Sequence, residues 1–307
     1  VCAALVAFVV LGGTAAGAVY RQGHARPCAG GAVSSSASAS VGGEASVETV
    51  EPVVDRDALL AGAMAAVTVP DGAEVSVAVF DADSGEDAAY GTGLFDTASI
   101  VKVDILAALL LQAQDAGRSP TAAEKAYAVA MIENSDNDSA SALWRAIGAA
   151  DGLDAANERF GLTRTEGGEG ALWGLTRTTA ADQIALLRQV FVADDSELSA
   201  ASRAYAQGLM GRIAAGQRWG VSAAADGTDG GSAWALKNGW LRRSTTGLWV
   251  VNSIGRVTSG GSDRLVAVVS RGSATQAEGI ALTEAAARAA VSVFAGEDGA
   301  GSGQKAS

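Results

Sequence analysis

Apolar positions change period several times along the chain, and each change marks an element. Residues 1–20 carry no charge, and the run Cys2-Ala-Ala-Leu-Val-Ala-Phe-Val-Val-Leu11, followed by small residues, reaches the roughly 20 positions that span a bilayer. Arg21 and the stretch Gly30-Gly31-Ala-Val-Ser34-Ser-Ser-Ala-Ser38 then predict a flexible linker over residues 21–50. Regular patterning starts near Glu51, with a helix over Asp55 to Val67, a strand over Val75 to Phe80, a turn at Asp81 to Gly85 and a second strand near Ala88 to Gly91. From Ser99 to Leu111 apolar residues cover nearly every face, which predicts a helix buried all round at the centre of the fold. Helical segments follow at Ala122 to Glu133, Ser139 to Ile147, Leu153 to Phe160, Ala180 to Val192 and Ala200 to Ile213. Strand character returns at Ala233 to Lys237, Leu248 to Ser253 and Leu265 to Ser270, before a last helix over Gln276 to Phe294 and a polar tail, 297–307, expected to be disordered. Two strands, a helical block over about 99–213, three strands and a helix predict an α+β fold whose antiparallel sheet is assembled from both chain ends, with an all-helical insertion.

Composition narrows the chemistry. The 307 residues are 49% hydrophobic and 18% charged, enough apolar material for a full core over residues 51–296. Thirty-four acidic against 22 basic residues give a net charge of -12, and no basic stripe exists to neutralise a phosphate backbone, so nucleic acid is excluded as a partner. The single histidine, His24, and both cysteines, Cys2 and Cys28, precede the predicted domain. That removes a Ser-His-Asp triad, a Cys-His pair, a disulfide and a His- or Cys-ligated metal from it; no metal and no organic cofactor is expected. Catalysis is left to Ser, Lys, Tyr, Asp, Glu or Asn. The segment 1–20 reads as an export signal, with small residues at Ala15 to Ala18 suited to cleavage, or as a membrane anchor; both readings stay open, and both put the domain outside the cell or in its envelope. Cys28 follows Ala25-Arg26-Pro27 and reads as a spare linker thiol.

Three motifs stand at element edges. Ser99-Ile-Val-Lys102 sets a hydroxyl and an amine one turn apart on one face of the buried helix. An ordinary helix-start serine and a snorkelling lysine would give the same string. Lysines are few, however (Lys102, Lys125, Lys237 and Lys305), and Lys102 falls in the most apolar helix, where a charge is costly unless used or paired. Burial beside a second cation would lower its pKa and let the neutral amine act as a base toward Ser99. Ser135-Asp136-Asn137 reads equally as a helix N-cap, and Lys237-Asn238-Gly239 as a strand end with an Asn-Gly turn. Their order, each at an edge that leads to one cleft, carries the functional reading.

With these motifs the chain resembles the serine β-lactamase and penicillin-binding protein superfamily, most closely the class A β-lactamases, over roughly Glu51 to Phe294. The resemblance implies a β-lactamase-like serine hydrolase domain over 51–296. It makes Ser99 the acylated nucleophile, Lys102 the base or proton relay and Ser135 the group that passes a proton to the leaving nitrogen. Asn137 then holds the substrate amide and Lys102, Lys237 pairs with a substrate carboxylate, and the backbone N–H groups of Ser99 and Trp240 form the oxyanion hole. Gly239, with no side chain, lets substrate approach the strand edge. The chain departs from the family in three places. Asn238 stands where Thr or Ser is usual, so the resemblance gives it that hydroxyl's substrate-binding place with an amide instead. Glu166-Gly-Gly-Glu169-Gly-Ala-Leu172-Trp173 keeps only half of the Glu-x-x-Leu-Asn pattern whose glutamate activates the deacylating water, and its glycines predict a floppy loop with two solvated carboxylates. The spacing from Ser99 to Ser135 is short, which predicts a more open site. Three functions follow as expectations: an exported, monomeric active-site-serine hydrolase acylated by small β-lactam-like amides; a D-alanyl-D-alanine peptidase or penicillin-binding enzyme acting on cell-wall peptide with slow deacylation; or a non-catalytic sensor tethered to the membrane through residues 1–20.

Overall fold

A computed structural model describes residues 54–295; the signal or anchor segment, the linker and the tail anticipated above lie outside the described residues. The fold is α+β. Helix α1 (Arg56–Met64) leads into β1 (Glu74–Asp81) and β2 (Asp87–Tyr90); a short β3 (Phe95–Asp96) precedes the helices α2 (Val101–Asp115), α3 (Ala122–Glu133), α4 (Asn137–Ala146) and α5 (Ala149–Phe160). After β4 (Arg177–Thr178) come α6 (Ala180–Phe191) and α7 (Ala200–Met210), then β5 (Trp234–Arg242), β6 (Trp249–Ser259), β7 (Ser262–Ser273) and α8 (Gln276–Ser292). The main sheet has five antiparallel strands in the order β2-β1-β7-β6-β5, so its centre joins the first strand of the chain to the last.

Alternation along the central strands explains why they read as continuous apolar runs. Val77 and Val79 of β1, with Val266 and Val268 of β7, face one cluster that includes Leu60 of α1 and Ala286 and Ala290 of α8. Ala78 and Phe80, with Leu265, Ala267 and Val269, face a second cluster built around Ile105, Leu106 and Leu109 of α2. A sheet covered on both faces has no polar side to show in its sequence. Helix α2 is buried along nearly its whole length, as its apolar composition predicts. Side chains cap the helices around it: Thr121 and Glu124 form a capping box on α3, and Thr275 and Glu278 form one on α8.

Several boundaries differ from the sequence reading. β5 runs straight through Asn238-Gly239 to Arg242, so the pair makes no turn; it lies within an edge strand. β6 and β7 extend to a tight hairpin at Gly260-Gly261, whose φ values of 63° and 88° match the primed turn that suits strand twist. α5 begins at Ala149, a turn earlier than anticipated, because Gly152 does not break it: a Cβ there would collide with the Ile147 carbonyl, and only glycine fits. The β3–β4 pair, too short for a periodic signal, was not expected.

One buried charge position stands in the core away from the motifs. Asp104 of α2 is 1% exposed, accepts from Gln183 Nε2 at 3.3 Å and leaves its Oδ2 without a protein partner. Burial pushes its carboxyl up from 3.8 to about 7, against the pull of the Gln183 bond. A folded-state pKa above the unfolded one means that the folded chain holds the proton longer. Stability is therefore full below about pH 4 and falls as pH rises toward 7, by a total on the order of 4 kcal/mol. The isosteric Asp104→Asn should flatten this slope; urea denaturation of both proteins at pH 5 and pH 8 checks it, and equal pH slopes would refute the assignment.

Candidate active site

The segment 96–102 forms the floor of the site. A 3-10 turn at Ala98–Ile100 opens α2, and Ala98 takes φ 49°, a left-handed conformation that costs a non-glycine residue of order 1 kcal/mol. The turn is held from three sides. Asn252 of β6 donates its amide to the Asp96 and Thr97 carbonyls, both at 2.9 Å, while its own carbonyl accepts from Ser270 N at 2.9 Å. Thr97 N donates to the Thr176 carbonyl at 2.8 Å. Gly239 of β5 lies against the third side, where a Cβ would come within 2.7 Å of Ser99 N, Ile100 N and Thr97 O. Its bareness thus lets the strand approach the nucleophile turn itself, where the sequence reading had it admitting substrate. Ser99 is half-buried, and its hydroxyl makes no hydrogen bond to another described residue.

Two lysines converge on one hydroxyl. Lys102 Nζ donates to Ser135 O at 2.7 Å, to Ser135 Oγ at 3.0 Å and to Asn137 Oδ1 at 2.8 Å. Lys237 Nζ donates to the same Ser135 Oγ at 3.0 Å and to Asn238 O at 2.9 Å, with Gln217 Oε1 at 3.5 Å. Both lysines are fully buried. Desolvation pulls Lys102 down to about 7, with the Asp136 charge acting the other way; desolvation, then the Lys102 charge, pulls Lys237 well below its usual value. The Ser135-Asp136-Asn137 motif is a cap as well as a site. Asp136 accepts from Ser139 N at 2.7 Å to start α4, which turns Asn137 toward Lys102, and Ser135 takes φ 57° to bring its hydroxyl inward.

Other anticipated site residues sit elsewhere. Strand alternation sends Lys237 and Gly239 to the nucleophile turn and Asn238 to the opposite face. There its buried amide donates to the Gln217 and Trp219 carbonyls at 2.7 and 3.0 Å, pinning that loop and offering no hydrogen to the cleft. Lys237 is likewise enclosed and tied to Ser135, without an exposed ammonium for a carboxylate in solution. Trp240 is half-buried, its ring edge-on to Trp219 with centroids 5.8 Å apart. The loop after Glu166 is pinned: Gly167 N donates to Asp154 Oδ1 at 2.8 Å, Gly168 N to Thr176 Oγ1 at 3.0 Å, and Trp144 Nε1 to the Gly170 carbonyl at 2.8 Å. Its glycines serve close approach, since a Cβ at Gly168 would strike the Leu172 carbonyl. Glu166 and Glu169 are both exposed, and the Asp136 charge is the one named above as acting on Lys102. Trp173 meets the site instead, its ring centroid 5.0 Å from Lys102 Nζ.

Sequence reasoning missed Asn252, Gln217 and Trp173. Asn252 was detectable in principle, as an amide in the middle of an apolar strand; the other two carry no local signal. Among the described residues no group of three or more His, Cys, Asp or Glu side chains converges as a metal site.

No family model matches this chain, and no curated protein does. Solved structures do. A point mutant of PBP-A, captured as an acyl-enzyme complex with penicillin G, superposes with a TM-score of 0.63 at 22% identity, over 77% of this chain and 96% of that one. The TLA-1 extended-spectrum β-lactamase gives 0.65 at 15% identity, over 78% and 98%. A class A β-lactamase from Bacteroides cellulosilyticus gives 0.62 at 15%, over 78% and 98%. At these identities the likeness establishes the fold alone, the α+β arrangement that this chain shares with those structures.

Gly239→Ala tests the strand-to-turn contact. Alanine is otherwise acceptable in a strand, so the expected loss of about 2 kcal/mol or more in urea denaturation would come from the collision with the 97–100 backbone; a change below about 0.5 kcal/mol would refute it.

Proposed function

We propose that the protein is an exported acyl-serine enzyme, acylated on Ser99 by β-lactam-like amides. The observation that carries this is the convergence of Lys102 and Lys237 on Ser135, one turn from a serine whose hydroxyl is free. Neutral Lys102 takes the Ser99 proton as Oγ attacks the amide carbonyl. Ser135 relays a proton from the lysine pair to the departing nitrogen, the C–N bond breaks, and an ester forms on Ser99. The Ser99 N–H and the Trp240 N–H of edge strand β5 are the donors available to the oxyanion, and the start of α2 adds its dipole. Asn137, oriented by Lys102, is the group we assign to the substrate amide. The uncharged segment 1–20 supports export.

Within this chemistry the slow-deacylating, penicillin-binding type is favoured over fast hydrolysis of the drug. The supporting observation is the exposure of both Glu166 and Glu169.

Intact-mass spectrometry with penicillin G should find one adduct, lost in Ser99→Ala without loss of fold by circular dichroism; labelling that persists in the variant would refute the nucleophile. A base must be neutral to act, so the acylation rate should rise about tenfold per unit below pH 7 and level off above the Lys102 value of about 7. A rate flat from pH 5 to 7 would remove Lys102 from that role.

A further inference from the structure

Lys102 is enclosed on every side. Its N–H donors go to Ser135 O, Ser135 Oγ and Asn137 Oδ1, and an ammonium has three. The Trp173 ring packs over the same group, its centroid 5.0 Å from Nζ. That ring is fixed in place. Trp173 Nε1 donates to Ser141 Oγ at 3.1 Å, and Ser141 Oγ donates to the Asn137 carbonyl at 2.9 Å, so the helix that supplies Asn137 also orients the indole. Behind it, Thr176 N donates to the Trp173 carbonyl at 3.1 Å, and the Thr176 carbonyl accepts from Thr97 N at 2.8 Å. The ring is therefore tied to both walls of the site.

Release of an ester on Ser99 requires a water oxygen to attack the carbonyl while a base takes its proton; the acyl–Oγ bond then breaks and Ser99 recovers a proton. Two kinds of base are at hand. Among the carboxylates, Glu166 and Glu169 are exposed on the loop after α5, and Asp136 is occupied in capping α4. The buried base is Lys102, and the Trp173 ring stands 5.0 Å from its nitrogen.

We propose that Trp173 is a positioning residue that shields the Lys102 amine from water and so preserves the ester on Ser99. This rests on the acylation proposed above and extends it: the protein holds its acyl group because an aromatic ring stands where a hydrolytic water would meet the base. Shielding is a property of the ring face, so phenylalanine serves and alanine does not.

The test isolates the penicillin G ester of the full chain and of Trp173→Ala and Trp173→Phe, and follows its decay by intact mass. The Ala variant should lose the ester at least about tenfold faster, while the Phe variant, which keeps a ring but not the Ser141 bond, stays within about threefold of the parent chain. Equal lifetimes in all three would overturn the proposal. Reductive methylation of the unacylated proteins, read by peptide mapping with exposed Lys125 as internal reference, needs no ester. Lys102 should react at least about tenfold faster in the Ala than in the Phe variant. Equal reactivity overturns the shield. If penicillin G leaves no ester on any protein, the acylation reading fails, and the methylation ratio alone decides whether the shield stands.

Discussion

Everything in the site depends on two buried amines sharing one hydroxyl. Two ammonium groups cannot both stay charged around Ser135 without water to screen them, so the fold must lower their proton affinity or lose the arrangement. It does so by complete burial, with Lys102 down to about 7 and Lys237 further depressed. Burial requires walls, and the walls come from α2, from the start of α4 and from β5. Those three elements are also the ones that carry the motifs. The chemistry and the packing are one constraint seen from two sides.

Local strain and bare backbone follow from it. Ala98 and Ser135 both adopt positive φ, one beside Ser99 and one at the shared hydroxyl. Such conformations persist only where the surroundings over-determine them. Here Asn252, Thr176 and the Gly239 backbone fix the first. Lys102 fixes the second by donating to both the carbonyl and the hydroxyl of Ser135.

Much of this was legible in the chain. The all-round apolar pattern of Ile100 to Leu110 identified α2, and the scarcity of lysine drew attention to Lys102 and Lys237. What failed to show was whatever depends on neighbours distant in sequence. Asn238-Gly239 has turn chemistry, yet β6 pairs with it from Asn252 and Ser253 and overrides the local preference. Gly152 looks like a helix boundary until the Ile147 carbonyl is seen to need the space. Asn238 was grouped with the substrate-binding residues because it takes the Thr or Ser place of the family's third motif; since the strand continues through it, its side chain falls on the opposite face. Trp173 occupied a position defined by an incomplete motif, and no pattern in its own segment announces a ring over an amine 71 residues earlier.

The order of the sheet has a consequence for how the molecule comes into being. β1 lies between β2 and β7, so the second partner of the first strand is the last strand of the chain, with Val77 opposite Val268. A ribosome must deliver the chain from Val77 through Val268 before that pairing can close. The helices from α2 to α7 make contacts among themselves and can gather early, but Lys237 arrives with the late strands. Until then Ser135 has one amine beside it, and the Lys102 side chain lacks part of the enclosure that lowers its proton affinity. The Lys102–Ser135–Lys237 arrangement is thus completed only by a late, non-local step of folding.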